Sequence, residues 1–117
     1  MQRVTVERSA GVATVVARGE LDAYEAPALS DAFAAIVGDA RVVVDLAAVS
    51  FLDSTALGVV VRAVRQIQQR GGQSLVVLPR GTGRRIFELT TLDQALPVAE
   101  SREQALMALT QPPASGT

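Results

Sequence analysis

The chain of 117 residues has no cysteine and no histidine. The first absence excludes disulfides, thiol nucleophiles and thiolate metal sites. The second removes the Ser-His-Asp triad, imidazole-ligated metals and the usual general base near neutral pH. An enzyme could still use carboxylates or arginines, but much of hydrolase chemistry is excluded. Lysine is also missing, every cation is an arginine, and aromatic residues make up 3%. A core must therefore come from Val, Leu, Ile and Ala, and a hydrophobic content of 49% suffices for one domain. The balance of 11 basic against 12 acidic residues offers no electrostatic footprint for nucleic acid. Long apolar runs are absent too. The N-terminus, Met-Gln-Arg-Val-Thr-Val-Glu, has no signal-peptide core, and the stretch from Leu46 to Leu52, broken by Ser50, is far short of the ~20 residues that span a bilayer. A cytoplasmic chain with no membrane insertion is expected.

Periodicity organises what is present. Residues 2–8 and 12–18 alternate like strands, and Ser9-Ala10-Gly11 between them predicts an antiparallel hairpin. Gly19 breaks the pattern and Asp22 can open a helix, with Pro27 early in it and Leu29, Ala32, Phe33, Ile36 and Val37 on its inner face. Gly38 and Asp39 end that helix. Arg41 to Leu46 reads as a strand buried on both faces, with Val49 to Ser54 as the connection out of it. From Ser54 to Arg70 the period is helical, with Leu57, Val60, Val61, Val64 and Ile67 on one face. The Val59-Val60-Val61 run favours a strand on propensity alone, but the spacing persists up to the stop at Gly71-Gly72. A strand over 74–78, a short helix over 82–90 and an edge strand over 95–99 follow. A last helix over 101–109 opens on Ser101 with Gln104 three residues later, a capping-box pattern. The alternation from residue 12 onward implies a mixed, largely parallel α/β sheet of four to five strands with about four helices. One domain over residues 1–110 and a loose tail over 111–117 complete the expectation.

Phe51-Leu52-Asp53-Ser54-Thr55-Ala56-Leu57-Gly58 is the most informative stretch, because a strand ends there and a helix begins. Read plainly, Asp53 or Ser54 caps the helix by accepting its first free amides, and Gly58 lets the helix approach a neighbour. Read functionally, a hydroxyl at a helix N-terminus sits beside unpaired N–H groups at the positive end of the macrodipole, where a phosphate is tolerated. Gly19-Glu20-Leu21-Asp22 has the same two readings, a turn with a capping Asp22 or a second functional loop. Arg80-Gly81-Thr82-Gly83-Arg84-Arg85 lacks the third glycine of a dinucleotide loop and the Gly-Lys-Ser/Thr ending of a P-loop, so it reads as a loop and helix start with a solvated or interfacial arginine pair.

The Asp53-to-Gly58 segment, behind the strand Val42-Val43-Val44-Asp45-Leu46, resembles the signature of the STAS domain, and most closely that of the bacterial anti-sigma factor antagonists. Gly19-Glu20-Leu21-Asp22, the Gly71-Gly72 break and Arg84-Arg85-Ile86-Phe87 follow the family's order. The resemblance implies a STAS fold and a phosphorylatable serine at Ser54, with Thr55 as the alternative hydroxyl because many relatives carry Ser-Gly where this chain has Thr55-Ala56. It implies a partner surface including Asp22, Asp53, Ser54, Thr55, Leu57 and Gly58. It further implies binding, when unmodified, to an anti-sigma factor with serine kinase activity, release of the sigma factor, and reset by a phosphatase acting on phospho-Ser54. The chain would be a substrate and not an enzyme, with no metal and no cofactor of its own. Two rival functions are a STAS subunit of a membrane lipid transport complex docking on its ABC ATPase, and a nucleotide-binding module. The missing phosphate loop opposes the second.

Overall fold

Two residues with positive φ, Ala10 at 53° and Gly11 at 78°, turn the chain between β1 (Val4–Ser9) and β2 (Val12–Leu21). This is the left-handed pair that a two-residue type I′ hairpin needs, and the strands pair antiparallel from Val4 opposite Ala17 to Ser9 opposite Val12. The computed structural model describes residues 3–78 and 97–110. Within them the order continues as α1 (Ala26–Ala35), β3 (Arg41–Leu52), α2 (Ser54–Gln69), β4 (Gln73–Val77), β5 (Val98–Ala99) and α3 (Arg102–Thr110). The sheet has five strands in the order β1-β2-β3-β4-β5, parallel everywhere except the first pair. The mixed, largely parallel sheet expected from the sequence is therefore present, with three helices among the described residues. The expected helix over 82–90, the loop 80–85 and the tail 111–117 lie outside the described residues.

Alternation along the pleat divides the core. Val15, Leu21, Val44 and Leu46 join Leu29 of α1 and Val60 and Val64 of α2 on one face, while Val43 and Val77 join Ala105 and Leu109 of α3 on the other. Burial of each large aliphatic side chain contributes about 1.5–3 kcal/mol. That gain explains why Val59-Val60-Val61 is helical despite its strand propensity: Val60 and Val64 are 0% exposed, and the arginines of α2 face outward. The helix stops in a Schellman motif, with Gly72 N–H donating to the Ile67 carbonyl at 2.9 Å and Gly71 N–H to Gln68 at 3.0 Å. Gly71 has φ +82°, and a Cβ on Gly72 would meet Ile67 Cγ2 at 2.8 Å.

Four expectations are corrected. β2 does not end at Gly19 but passes through it to Leu21, and β3 runs past Leu46 to Leu52, because the two strands keep pairing across two register shifts. Val37 lies beyond the end of α1 and is 58% exposed. The cap of α3 reaches one residue further out than a capping box. Ser101 Oγ accepts from Gln104 N–H at 3.0 Å, and Gln104 Oε1 accepts from the amide of Glu100, not Ser101, at 2.7 Å.

α3 is tied to the sheet by charge. Arg102 Nε donates to Asp45 Oδ2 at 2.8 Å and its Nη1 to Glu7 Oε1 at 3.0 Å, while Asp45 Oδ1 accepts from Ala47 N–H at 3.0 Å. Asp45 is 8% exposed, so its charge is buried but fully hydrogen-bonded. The hydrogen bond to Asp45 raises the Arg102 guanidinium pKa above its ordinary value. Among the described residues no helix is long and apolar enough to cross a membrane.

Ala10 occupies a conformation that costs an L-residue with a Cβ roughly 1 kcal/mol. Ala10→Asn, which installs the preferred Asn-Gly turn, should raise the urea unfolding midpoint by an amount equivalent to about 0.5–1 kcal/mol. An unchanged or lower midpoint contradicts this.

Candidate functional site: the shared end of the central strands

β2 and β3 are parallel and finish side by side, with Leu21 opposite Leu52. The residues that follow them, Asp22 and Asp53, therefore emerge from neighbouring strands about 4.8 Å apart. The amide of Asp53 donates to the carbonyl of Leu21 at 3.1 Å and joins the two loops directly. The two segments singled out in the sequence are thus brought to one edge of the sheet.

Asp53 is the helix cap. Its backbone is extended, its Oδ1 accepts from Ala56 N–H at 2.9 Å, and its carbonyl accepts from Leu57 N–H at 2.9 Å. Ser54 is consequently the first helical residue and is exposed, as is Thr55. The amides of these two residues are first-turn donors with no intrahelical acceptor. Gly58 is half-buried on the same helix, and a Cβ there would meet only the flexible end of Arg62, at 3.4 Å. It is not needed for close helix packing. Leu57 departs from the expected partner surface: it is 6% exposed and belongs to the core, so it holds α2 in place and presents no contact.

Asp22 does not open α1, which starts at Ala26 with Glu25 as its cap residue and no side-chain cap bond. Asp22 instead closes a turn. Its Oδ1 accepts from Tyr24 N–H at 2.9 Å, and its carbonyl accepts from Glu25 N–H at 3.0 Å and Ala26 N–H at 3.1 Å. Arg3, just ahead of β1, braces this loop. Its Nη1 donates to the Glu20 carbonyl at 3.2 Å, and its Nε lies 3.6 Å from Glu25 Oε1. Gly19 has φ +75°, a conformation that favours glycine, and a Cβ there would stand 2.9 Å from Arg3 Nη1, the movable end of that side chain.

Sequence reading missed Arg3 and Tyr24. Nothing in the local pattern of Arg3 distinguishes it from a solvated strand arginine, since its partners come from other elements. Tyr24 carried a compositional signal, being the single tyrosine of the chain, and it is 92% exposed. The edge is acidic, with Glu20 and Asp22 exposed and Glu25 and Asp53 half-buried. Among the described residues, a groove of about 240 Å³ between α1 and α2, lined by Phe33, Val37, Ala63, Ile67 and Arg70 among others, contains none of these residues. The edge therefore offers an accessible hydroxyl on a rigid helix start. Asp53, the carboxylate next to it in sequence, is engaged as the cap.

The STAS domain family model matches residues 3–105. The anti-sigma-B factor antagonist of Listeria monocytogenes is 36% identical over 96 residues, which cover 79% of this chain and 82% of that protein. The crystal structure of an anti-sigma factor antagonist from Mycobacterium paratuberculosis has a TM-score of 0.81 at 36% identity, over 92% of this chain and 93% of its own. SpoIIAA of Bacillus, solved in unphosphorylated and phosphorylated forms, shares the fold with a TM-score of 0.69 in each, at 16% and 20% identity over 90% of this chain and 94% and 97% of theirs.

Removing the cap measures what Asp53 contributes to the helix start. Asp53→Ala should destabilise the domain by about 0.5–2 kcal/mol and Asp53→Ser by much less, read from urea unfolding. Equal losses in the two variants contradict the capping role.

Proposed function

This chain belongs to the STAS domain family, and we propose that it acts as an anti-sigma factor antagonist whose binding is switched off by phosphorylation of Ser54. The observation that carries this reading is the division of labour at the start of α2. Asp53 supplies the cap, which leaves the Ser54 hydroxyl exposed beside the first-turn amides and next to the Asp22 loop. The names of the relatives favour it over the lipid-transport alternative.

In this reading the unmodified protein binds an anti-sigma factor that is itself a serine kinase, and the sigma factor is released. Ser54 Oγ then attacks the γ-phosphorus of the kinase's Mg-ATP. A phosphorus–oxygen bond to Ser54 forms, the bond to the β-phosphate oxygen breaks, ADP leaves and the hydroxyl proton passes to the kinase's base or to solvent. The product carries about −1.5 to −2 charge on a surface that must enter the interface. Desolvating that charge without a paired cation costs a few kcal/mol, and each ~1.4 kcal/mol is tenfold in affinity. A phosphatase that hydrolyses phospho-Ser54 restores the first state.

Incubation with the cognate anti-sigma factor and Mg-ATP, followed by mass spectrometric mapping, tests the assignment. One phosphate is expected, on Ser54. Ser54→Ala should bind without being modified, and Thr55→Ala should remain a substrate. Modification of Thr55 in place of Ser54, or no modification of residues 53–55, overturns it.

A further inference from the structure

Tyr24 stands apart in this molecule. The chain has one tyrosine and three phenylalanines, and the tyrosine is 92% exposed. It follows Asp22 by two positions, at the sheet edge that carries Ser54. We infer that Tyr24 is the anchor by which this protein holds its anti-sigma factor, and that Asp22 is a positioning residue that acts through it. The inference rests on the function proposed above and names the contact within that interface.

Asp22 holds the turn through one carboxylate oxygen and its carbonyl. Its side chain accepts from the amide of Tyr24 at 2.9 Å, and its carbonyl accepts from both Glu25 and Ala26. From behind, Arg3 holds the Glu20 carbonyl at 3.2 Å and faces Glu25 Oε1 at 3.6 Å. The backbone on either side of Tyr24 is therefore bonded in place before any partner arrives, and little ordering cost remains for binding. What such a loop displays is one large amphipathic ring with few rotatable bonds. Such a side chain supplies contact area at low entropic cost and is enriched at interface hot spots. Phe51, 46% exposed and paired with Glu20 across the strands, adds apolar surface at the same end of the sheet. Continuity with the Ser54 surface selects the occupant: a partner that covers Ser54 meets the Asp22 turn through the adjacent strand end. The anti-sigma factor should accordingly offer an apolar cleft sized for an aromatic ring.

Calorimetric titration of the full-length protein with its cognate anti-sigma factor, together with phosphorylation kinetics, tests the inference. Tyr24→Ala should weaken the complex at least tenfold and raise KM for phosphorylation while kcat stays within twofold. Its unfolding midpoint should match the wild type, and Tyr24→Phe should retain most of the affinity. Asp22→Ala should weaken binding alone but add less than twofold in the Tyr24→Ala background. Binding of Tyr24→Ala within twofold of wild type, while Ser54→Asp still disrupts the complex, overturns the anchor and leaves the proposed function standing. Fully additive losses from Asp22→Ala and Tyr24→Ala overturn the positioning role. No binding by the wild type overturns the proposed function itself.

Discussion

The hydrogen bond from the Asp53 amide to the Leu21 carbonyl, 3.1 Å long, extends the β2–β3 pairing beyond the last strand residues into the loops. Everything at the candidate site depends on the register that this bond extends. Because side chains alternate faces, a slip of one residue would send Leu21 and Leu52 outward and separate the Asp22 turn from the start of α2. Burial opposes such a slip: Leu21 and Leu52 are 0% and 2% exposed and sit in the core beneath α1 and α2. Gly19, at φ +75°, lets β2 bend through its irregular register without breaking. On the opposite face Arg102 joins α3 to Asp45 and Glu7, which clamps the middle of β3 to β1 through one guanidinium.

Much of this architecture was legible in the residues. The hairpin turn, the amphipathic face of α2, its double-glycine stop and the Ser101 cap each obey a local rule, and local rules can be read from spacing. The ends of β2 and β3 were misplaced for the opposite reason. Gly19 reads as a break and Val49 to Ser54 as a connection when seen alone, yet Gly19 and Val49 to Leu52 remain in strands because the two stretches pair with each other. Asp45 is a charge inside an apolar run that the sequence reading passed over. Its partner Arg102 could not be found from the sequence, since only the fold brings α3 across β3.

At the site the same division holds. The Asp53-Ser54 junction and the Asp22 loop stood out by residue type, but which of Asp53 and Ser54 caps the helix was decided only by backbone geometry: Asp53 is extended and accepts from Ala56, which makes Ser54 helical and exposed. Leu57 was drawn into the expected surface by its place in the motif, whereas helical geometry turns it to the core. Asp22 looked like a cap and proves to be the hinge pin of a turn, because three residues separate it from the first turn of α1.

The central claim is that a phosphate on Ser54 changes what the domain binds without changing how it folds. The first-turn amides and the helix dipole favour an anion at that position, and Asp53, not Ser54, carries the cap. The most direct measurement compares pure unmodified and Ser54-phosphorylated protein in two respects, the urea unfolding midpoint and the dissociation constant for the anti-sigma factor. The account predicts closely similar midpoints and a dissociation constant at least about 100-fold larger for the phosphorylated form, equivalent to roughly 2.7 kcal/mol. Equal affinities, or a loss of affinity that comes with unfolding of the domain, would contradict it.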